Sequence, residues 1–236
     1  MSSYNLLGDV YLVGDIHAQP RGVEYTIRSN NLTGANFIFL GDVGLGFGGN
    51  HKGPCKFLNK LAEETKNRFY IFRGNHDNPA SYYEHSEELQ KLFPAITVLQ
   101  DFDELLLENG ERGLVVAGAF SIDRIYRTEG MNWWKDELMH YDCVPQGHFD
   151  FVVAHSGITP PELRAGSPFF DSMCRKDPEA KRFIDEEQEY IGKVIDAVQP
   201  KHWYNGHFHV HSIFEHGDVP TVVHALDIDE VVLKTE

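Results

Sequence analysis

The chain has little cysteine, a shortage of basic charge and no long apolar run. Its three cysteines, Cys55, Cys143 and Cys174, are odd in number, far apart and in no Cys-x-x-Cys pair. A disulfide scaffold is excluded, and reduced thiols in a cytoplasmic protein are expected. Lys and Arg number 21 against 36 Asp and Glu, a net charge of −15. Nucleic acids and anionic bilayers attract basic surfaces, so a general binding surface for either is not expected. Residues 1–11 have neither a basic start nor a long apolar run, so no secretory leader is expected. No stretch approaches the roughly 20 apolar residues of a membrane-spanning helix. Internal repeats and low-complexity segments are also missing. What is present, 42% hydrophobic and 24% charged over 236 residues, fits a single α/β domain at 1–236 with a substantial core.

Chemistry concentrates where apolar runs stop. Phe69-Tyr70-Ile71-Phe72 has the aromatic and branched composition of a buried strand, and it ends in Arg73-Gly74-Asn75-His76-Asp77. In open α/β sheets, ligands bind at the carboxyl ends of strands. The same arrangement recurs three times: 10–13 leads into Gly14-Asp15-Ile16-His17, 37–40 into Gly41-Asp42, and 151–154 into His155-Ser156-Gly157. A fifth stretch, Asn205-Gly206-His207-Phe208-His209, carries two histidines two apart. In extended backbone, residues i and i+2 point to one side, so Asp15 with His17, and His207 with His209, each offer a pair of ligands. One such pair is an ordinary polar turn; five stretches rich in Asp, Asn and His indicate a metal site.

Taken in order, Gly14-Asp15-Ile16-His17, Gly41-Asp42, Gly74-Asn75-His76-Asp77, Ala154-His155 and Gly206-His207-Phe208-His209 resemble the motifs of the calcineurin-like metallophosphoesterases. The resemblance implies an α/β fold of two facing mixed β-sheets flanked by helices. It implies two divalent metal ions, manganese first among iron, zinc, cobalt and nickel. Asp15, His17 and His209 would hold one ion, Asn75, His155 and His207 the other, with Asp42 bridging. Two such ions carry more charge than Asp15 and Asp42 return, so the centre would suit a phosphorylated substrate despite the acidic chain. A shared, deprotonated water would attack phosphorus and His76 would protonate the leaving group. The expected activity is hydrolysis of phosphate monoesters, on a phosphoprotein or a small ester. Phosphodiester hydrolysis on nucleotides and a non-catalytic metal-dependent scaffold are the alternatives.

The resemblance is incomplete at one place. In the protein phosphatases of the family, Gly-Asp is followed after two residues by an Asp that orients the catalytic His and an Arg that binds phosphate. Here Leu45 and Gly46 stand there. Asp77 is the candidate to orient His76, and Arg73, Arg124 and Arg127 are the candidate phosphate ligands, because an Arg fork matches phosphate oxygens. Arg124 belongs to Gly118-Ala119-Phe120-Ser121-Ile122-Asp123-Arg124. With the later Trp133-Trp134-Lys135-Asp136-Glu137, this resembles a segment of some bacterial and phage members. The tryptophans read as caps on the core. Gly44-Leu45-Gly46-Phe47-Gly48-Gly49 matches a dinucleotide fingerprint in form only, because no helix opens on its glycines. Helices are expected at 20–28, 54–66, 81–92, with Ser81 as cap and Glu84 completing a capping box, and 179–198. Segment 159–178, rich in Pro, is expected to be irregular.

Overall fold

A computed structural model describes residues 1–234 apart from Ala165 and Val219. A strand at Ser3–Leu6 (β1) precedes the first motif strand, Val10–Val13 (β2). Helix Arg21–Ser29 (α1) leads to Asn36–Phe39 (β3), and helix Gly53–Thr65 (α2) to Arg68–Ile71 (β4). Helices Pro79–Tyr83 (α3) and Ser86–Leu92 (α4) precede Ile96–Val98 (β5), Glu104–Leu107 (β6) and Arg112–Val116 (β7). Strand Phe151–Ala154 (β8), helices Pro168–Lys176 (α5) and Ala180–Val198 (α6), and strand His202–Asn205 (β9) follow. Strands Ser212–His216 (β10), Thr221–Ala225 (β11) and Val231–Leu233 (β12) come last.

The strands form two mixed sheets. One has seven strands in the order β1-β6-β7-β8-β9-β11-β10, the other five in the order β12-β2-β3-β4-β5. Strands β2 to β5 pair in parallel, as do β7, β8 and β9.

Side-chain alternation explains the layering. Along β3, Phe37 and Phe39 turn outward to Val23 and Ile27 of α1 and Leu58 and Leu61 of α2. Ile38 between them, and Leu40 just beyond, turn inward to a core shared with Leu105, Val115, Phe151 and Val153 of the other sheet. The opposite face of that sheet, with Leu114, Val152 and Trp203, is covered by Ile191, Val194 and Val198 of α6. Period two on each strand therefore serves two cores at once, and the order is helix, sheet, sheet, helix.

Two expectations fail. The helix expected at 81–92 is two helices, and its cap is Asn78, whose side chain accepts from Ala80 N at 3.0 Å; Ser81 is buried instead. Segment 159–178 contains a regular helix, α5, with Pro168 in its first turn and Ser167 as cap. Proline marks a helix start as readily as it marks irregular chain. Among the described residues no helix is long and apolar enough to cross a membrane.

Candidate metal centre

Because β2, β3 and β4 run parallel, and β8 and β9 likewise, their carboxyl ends gather at the rims of the two sheets. The five motifs meet there. Asp15 Oδ2 lies 3.0 Å from His209 Nε2, and His17 Nε2 lies 2.9 Å from the same nitrogen. Ligand atoms of Asp15, His17, Asp42 and His209 all fall within 4.8 Å of one another. Beside them, Asn75 Oδ1 lies 2.8 Å from His155 Nε2 and 3.0 Å from His207 Nδ1. Asp42 Oδ1 is 3.2 Å from His155 Nε2. All seven residues expected from the sequence thus converge as two clusters sharing Asp42.

The backbone is strained where it delivers them. His17, Asp42, His207 and His209 all have positive φ, between 43° and 67°. Left-handed backbone costs an L-residue roughly 1–2 kcal/mol and collects at functional sites. The motif glycines leave room for ligands from other motifs. A Cβ on Gly74 would stand 2.2 Å from Asp42 Oδ1, and one on Gly206 would stand 2.0 Å from Asp15 Oδ1. These glycines are required by close approach, since neither has a positive φ.

The donor chemistry fits divalent cations. Carboxylate, amide and imidazole lone pairs face one another at hydrogen-bond distances, an arrangement that a cation in each cluster would satisfy. His155 Nδ1 donates to Leu40 O at 2.7 Å, which leaves Nε2 as the nitrogen that could face a cation. Burial opposes charge on His155, but Asp42 and Asp15 outweigh it and raise the imidazole to about 10. Burial, and then His155, push His207 well down. Burial alone would raise Asp42, yet His155 holds it well below the usual carboxylate range. A cation would take the place of the His155 proton.

Around the clusters, the expectations divide. His76 packs flat on Phe47 of the glycine-rich loop, with ring centroids 5.1 Å apart, and edge-on to His17. Arg127 is half-buried beside it: Nη2 donates to His76 Nε2 at 2.5 Å and forms an ion pair with Asp123 Oδ1 at 2.6 Å. Arg73 is not at the site. It is 1% exposed and donates to the carbonyls of Glu137 and Leu138 and to the Tyr83 hydroxyl, so it ties β4 to the segment after β7. Arg124 also lies away, forked onto Asp177 at 2.7 and 3.2 Å and stacked on Phe183. Both guanidinium groups are occupied by partners that a phosphate would have to displace. Asp77 does not orient the His76 ring. Its carboxylate accepts from the backbone N–H groups of Gly44, Leu45 and Gly74, and it locks two motif loops together.

Ser121, Trp133 and Glu137 have a role the sequence reading missed. Asn75 Nδ2 donates to Ser121 Oγ at 2.9 Å, and Arg127 Nη1 does so at 3.2 Å. Ser121 Oγ donates to Glu137 Oε2 at 2.9 Å, and Ser121 N and Trp133 Nε1 donate to Glu137 Oε1. This network settles which end of the Asn75 amide faces the histidines. The segment that resembles bacterial and phage relatives is the available signal; its arginines are read as candidate phosphate ligands and only its tryptophans as core.

An α/β double sheet with Asp, Asn and His at its strand ends is the framework of a metal-dependent hydrolase of phosphoric esters. The chain belongs to the calcineurin-like phosphoesterase family, whose sequence pattern matches residues 8–211. Among curated proteins, none matches the sequence. Solved structures share the fold at low identity. TT1561 of Thermus thermophilus is 9% identical over 96% of this chain and 99% of its own, with a TM-score of 0.53. Another crystal structure is 10% identical over 96% of this chain and 98% of its own, with a TM-score of 0.58.

Proposed function

We propose that this phosphoesterase hydrolyses phosphate monoesters with two divalent ions, manganese foremost. Asp15, His17, Asp42 and His209 hold one, and Asp42, Asn75, His155 and His207 the other. When bound, the ions supply Lewis-acid stabilisation of phosphoryl oxygens and an activated water.

The observation that carries the monoester reading is Arg127. A terminal phosphate presents more negative charge than a diester and needs a cation beyond the metals. The Asp-Arg pair of the protein phosphatases is missing, and Arg127 brings a guanidinium to His76 from a different segment. Its fork matches two non-bridging oxygens. Before substrate arrives, Arg127 donates to His76 Nε2, so that nitrogen is an acceptor. Burial, reinforced by Arg127, lowers His76 to about 4, consistent with a neutral ring. Substrate phosphate draws the guanidinium to itself and adds negative charge beside His76. The ring then takes up a proton from solvent on Nε2, delivers it to the leaving oxygen and returns to the neutral form. Phe47 and Arg127 orient the ring in this scheme, in place of a carboxylate.

The test is hydrolysis of an aryl phosphate monoester beside its matching diester, on metal-stripped protein reloaded with Mn²⁺. Preference for the monoester is expected. His76→Ala should lose about 10²–10⁴-fold. Arg127→Ala should lose roughly 10–100-fold on the monoester, the scale of a charged hydrogen bond, and much less on the diester. A preference for the diester, unaffected by Arg127→Ala, would overturn the reading in favour of nucleotide-type substrates.

A further inference from the structure

A cavity of about 440 Å³ opens directly off the candidate centre. Asp42, Asn75, His76, Arg127, His207 and His209 line one end. The rest is mainly apolar, with Ile122 and Tyr126 from the loop after β7, Phe169, Phe170 and Met173 from α5, and Ile184 from α6. Tyr126 and Phe169 remain 62% and 60% exposed at this cavity, an uncovered apolar surface next to a charged centre.

We infer that this cavity receives the alcohol half of the ester, and that this half is an uncharged alkyl or aryl group. Three observations converge. First, a phosphate seated against His76 and Arg127 can direct its ester oxygen only into open space, and the cavity begins at those side chains. Second, among the described residues Arg127 is the only Lys or Arg lining it, whereas Asp123 and Glu187 are acidic. A second phosphate, or an acidic peptide flanking a phosphoserine, meets repulsion and no counter-charge. Third, the volume lies in the range of about 300–1,000 Å³ that holds small organic ligands. It accommodates a ring or a chain of several carbons. The inference rests on the monoester reading for the place of the phosphate, and it narrows the substrate to a small apolar ester.

Alkylphosphonates test it without turnover, because their carbon–phosphorus bond is not hydrolysed. Methyl-, butyl-, hexyl- and octylphosphonate are titrated calorimetrically into Mn²⁺-loaded protein. Affinity should rise by up to about fourfold per methylene buried, then level off once the cavity is full. Phe169→Ser, at an exposed position that folding tolerates, and Met173→Gln, of similar length, should each reduce the octyl-to-methyl affinity ratio. Length-independent affinity, or no binding at any length, overturns the inference. Hydrolysis of the aryl monoester by the same preparation reports separately on the activity. Length-dependent binding without hydrolysis would keep the pocket and sink the proposed reaction. Hydrolysis with length-independent binding would do the reverse.

Discussion

Ser121 carries one hydroxyl and makes three hydrogen bonds with it. The proton goes to Glu137 Oε2, and the lone pairs accept from Asn75 Nδ2 and Arg127 Nη1. That is the full capacity of a hydroxyl. A buried carboxylate therefore acts, through one side chain, on both a candidate metal ligand and the cation beside His76. Ser121→Ala should weaken Mn²⁺ binding about 10–100-fold, the usual effect of losing a group that orients a ligand. Glu137→Gln should act in the same direction, because an amide N–H placed against Ser121 Oγ offers a third donor where an acceptor is needed. Calorimetric Mn²⁺ titration, with circular dichroism to confirm folding, measures both; affinity unchanged in both variants would show that Asn75 needs no such support. At this scale the sequence disclosed the seven candidate ligands through the resemblance of its five motifs to the calcineurin-like phosphoesterases, with Asp, Asn and His at the ends of apolar strands as the supporting pattern. It did not separate Arg127 from Arg73 and Arg124. All three are guanidinium groups near a motif, and only the folded chain shows that Arg127 reaches His76 while Arg73 and Arg124 are held away from the centre.

Helix α6 shows the same limit for whole elements. Its apolar spacing, from Tyr190 through Val198, made its length and buried face legible in advance. Glu187, on the same helix, was not singled out. It is 4% exposed and accepts from Phe120 N at 2.7 Å and from Ser156 Oγ at 2.7 Å, so it joins α6 to the loops after β7 and β8. Burial raises its carboxyl to about 7, despite hydrogen bonds and the nearby His155, which favour the charged form. An unfolded glutamate releases its proton near pH 4.3. The folded protein thus gains stability from this group below that pH, and loses it as pH rises through about 7. Glu187→Gln keeps both contacts, with the amide oxygen facing Phe120 N and the amide N–H donating to Ser121's counterpart in the β8 loop, the Ser156 hydroxyl. Thermal melts at pH 5 and pH 8 should differ more for the native protein than for this variant, by roughly 1–3 kcal/mol of stability. Equal differences in the two proteins would mean that Glu187 titrates normally. The helix expected at 81–92 failed for a related reason: Ser81 and Glu84 have the spacing of a capping box, but Asn78 caps an earlier helix and leaves Ser81 in its interior. Local spacing alone does not choose between two competing starts.

For the whole molecule, the centre is a joint between sheets. Asp15, His17, Asp42 and Asn75 follow strands of the five-stranded sheet; His155, His207 and His209 follow strands of the seven-stranded one. The inner core of Leu12, Ile38, Tyr70, Val115, Phe151 and Val153 holds the sheets face to face. At the rim, polar ligands replace that apolar packing. Both sheets were foreseeable from the motifs, whereas β1 was not: Ser3–Leu6 is short and only one of its side chains is buried. Cations bound between ligands of two sheets bind the folded state and have no such site in the unfolded chain, where the seven ligands are scattered from 15 to 209. Free Mn²⁺ at a hundredfold excess over its dissociation constant should add about 2.7 kcal/mol per site. For a chain of this size that corresponds to a rise in melting temperature of roughly 5–10 °C per site, reversed by a chelator. Because Asp42 belongs to both clusters, Asp42→Asn should remove most of the rise, while His209→Ala should spare the part due to the Asn75–His155–His207 cluster. A melting curve that ignores Mn²⁺ in the native protein would show that hydrogen bonds alone join the two sheets at this rim.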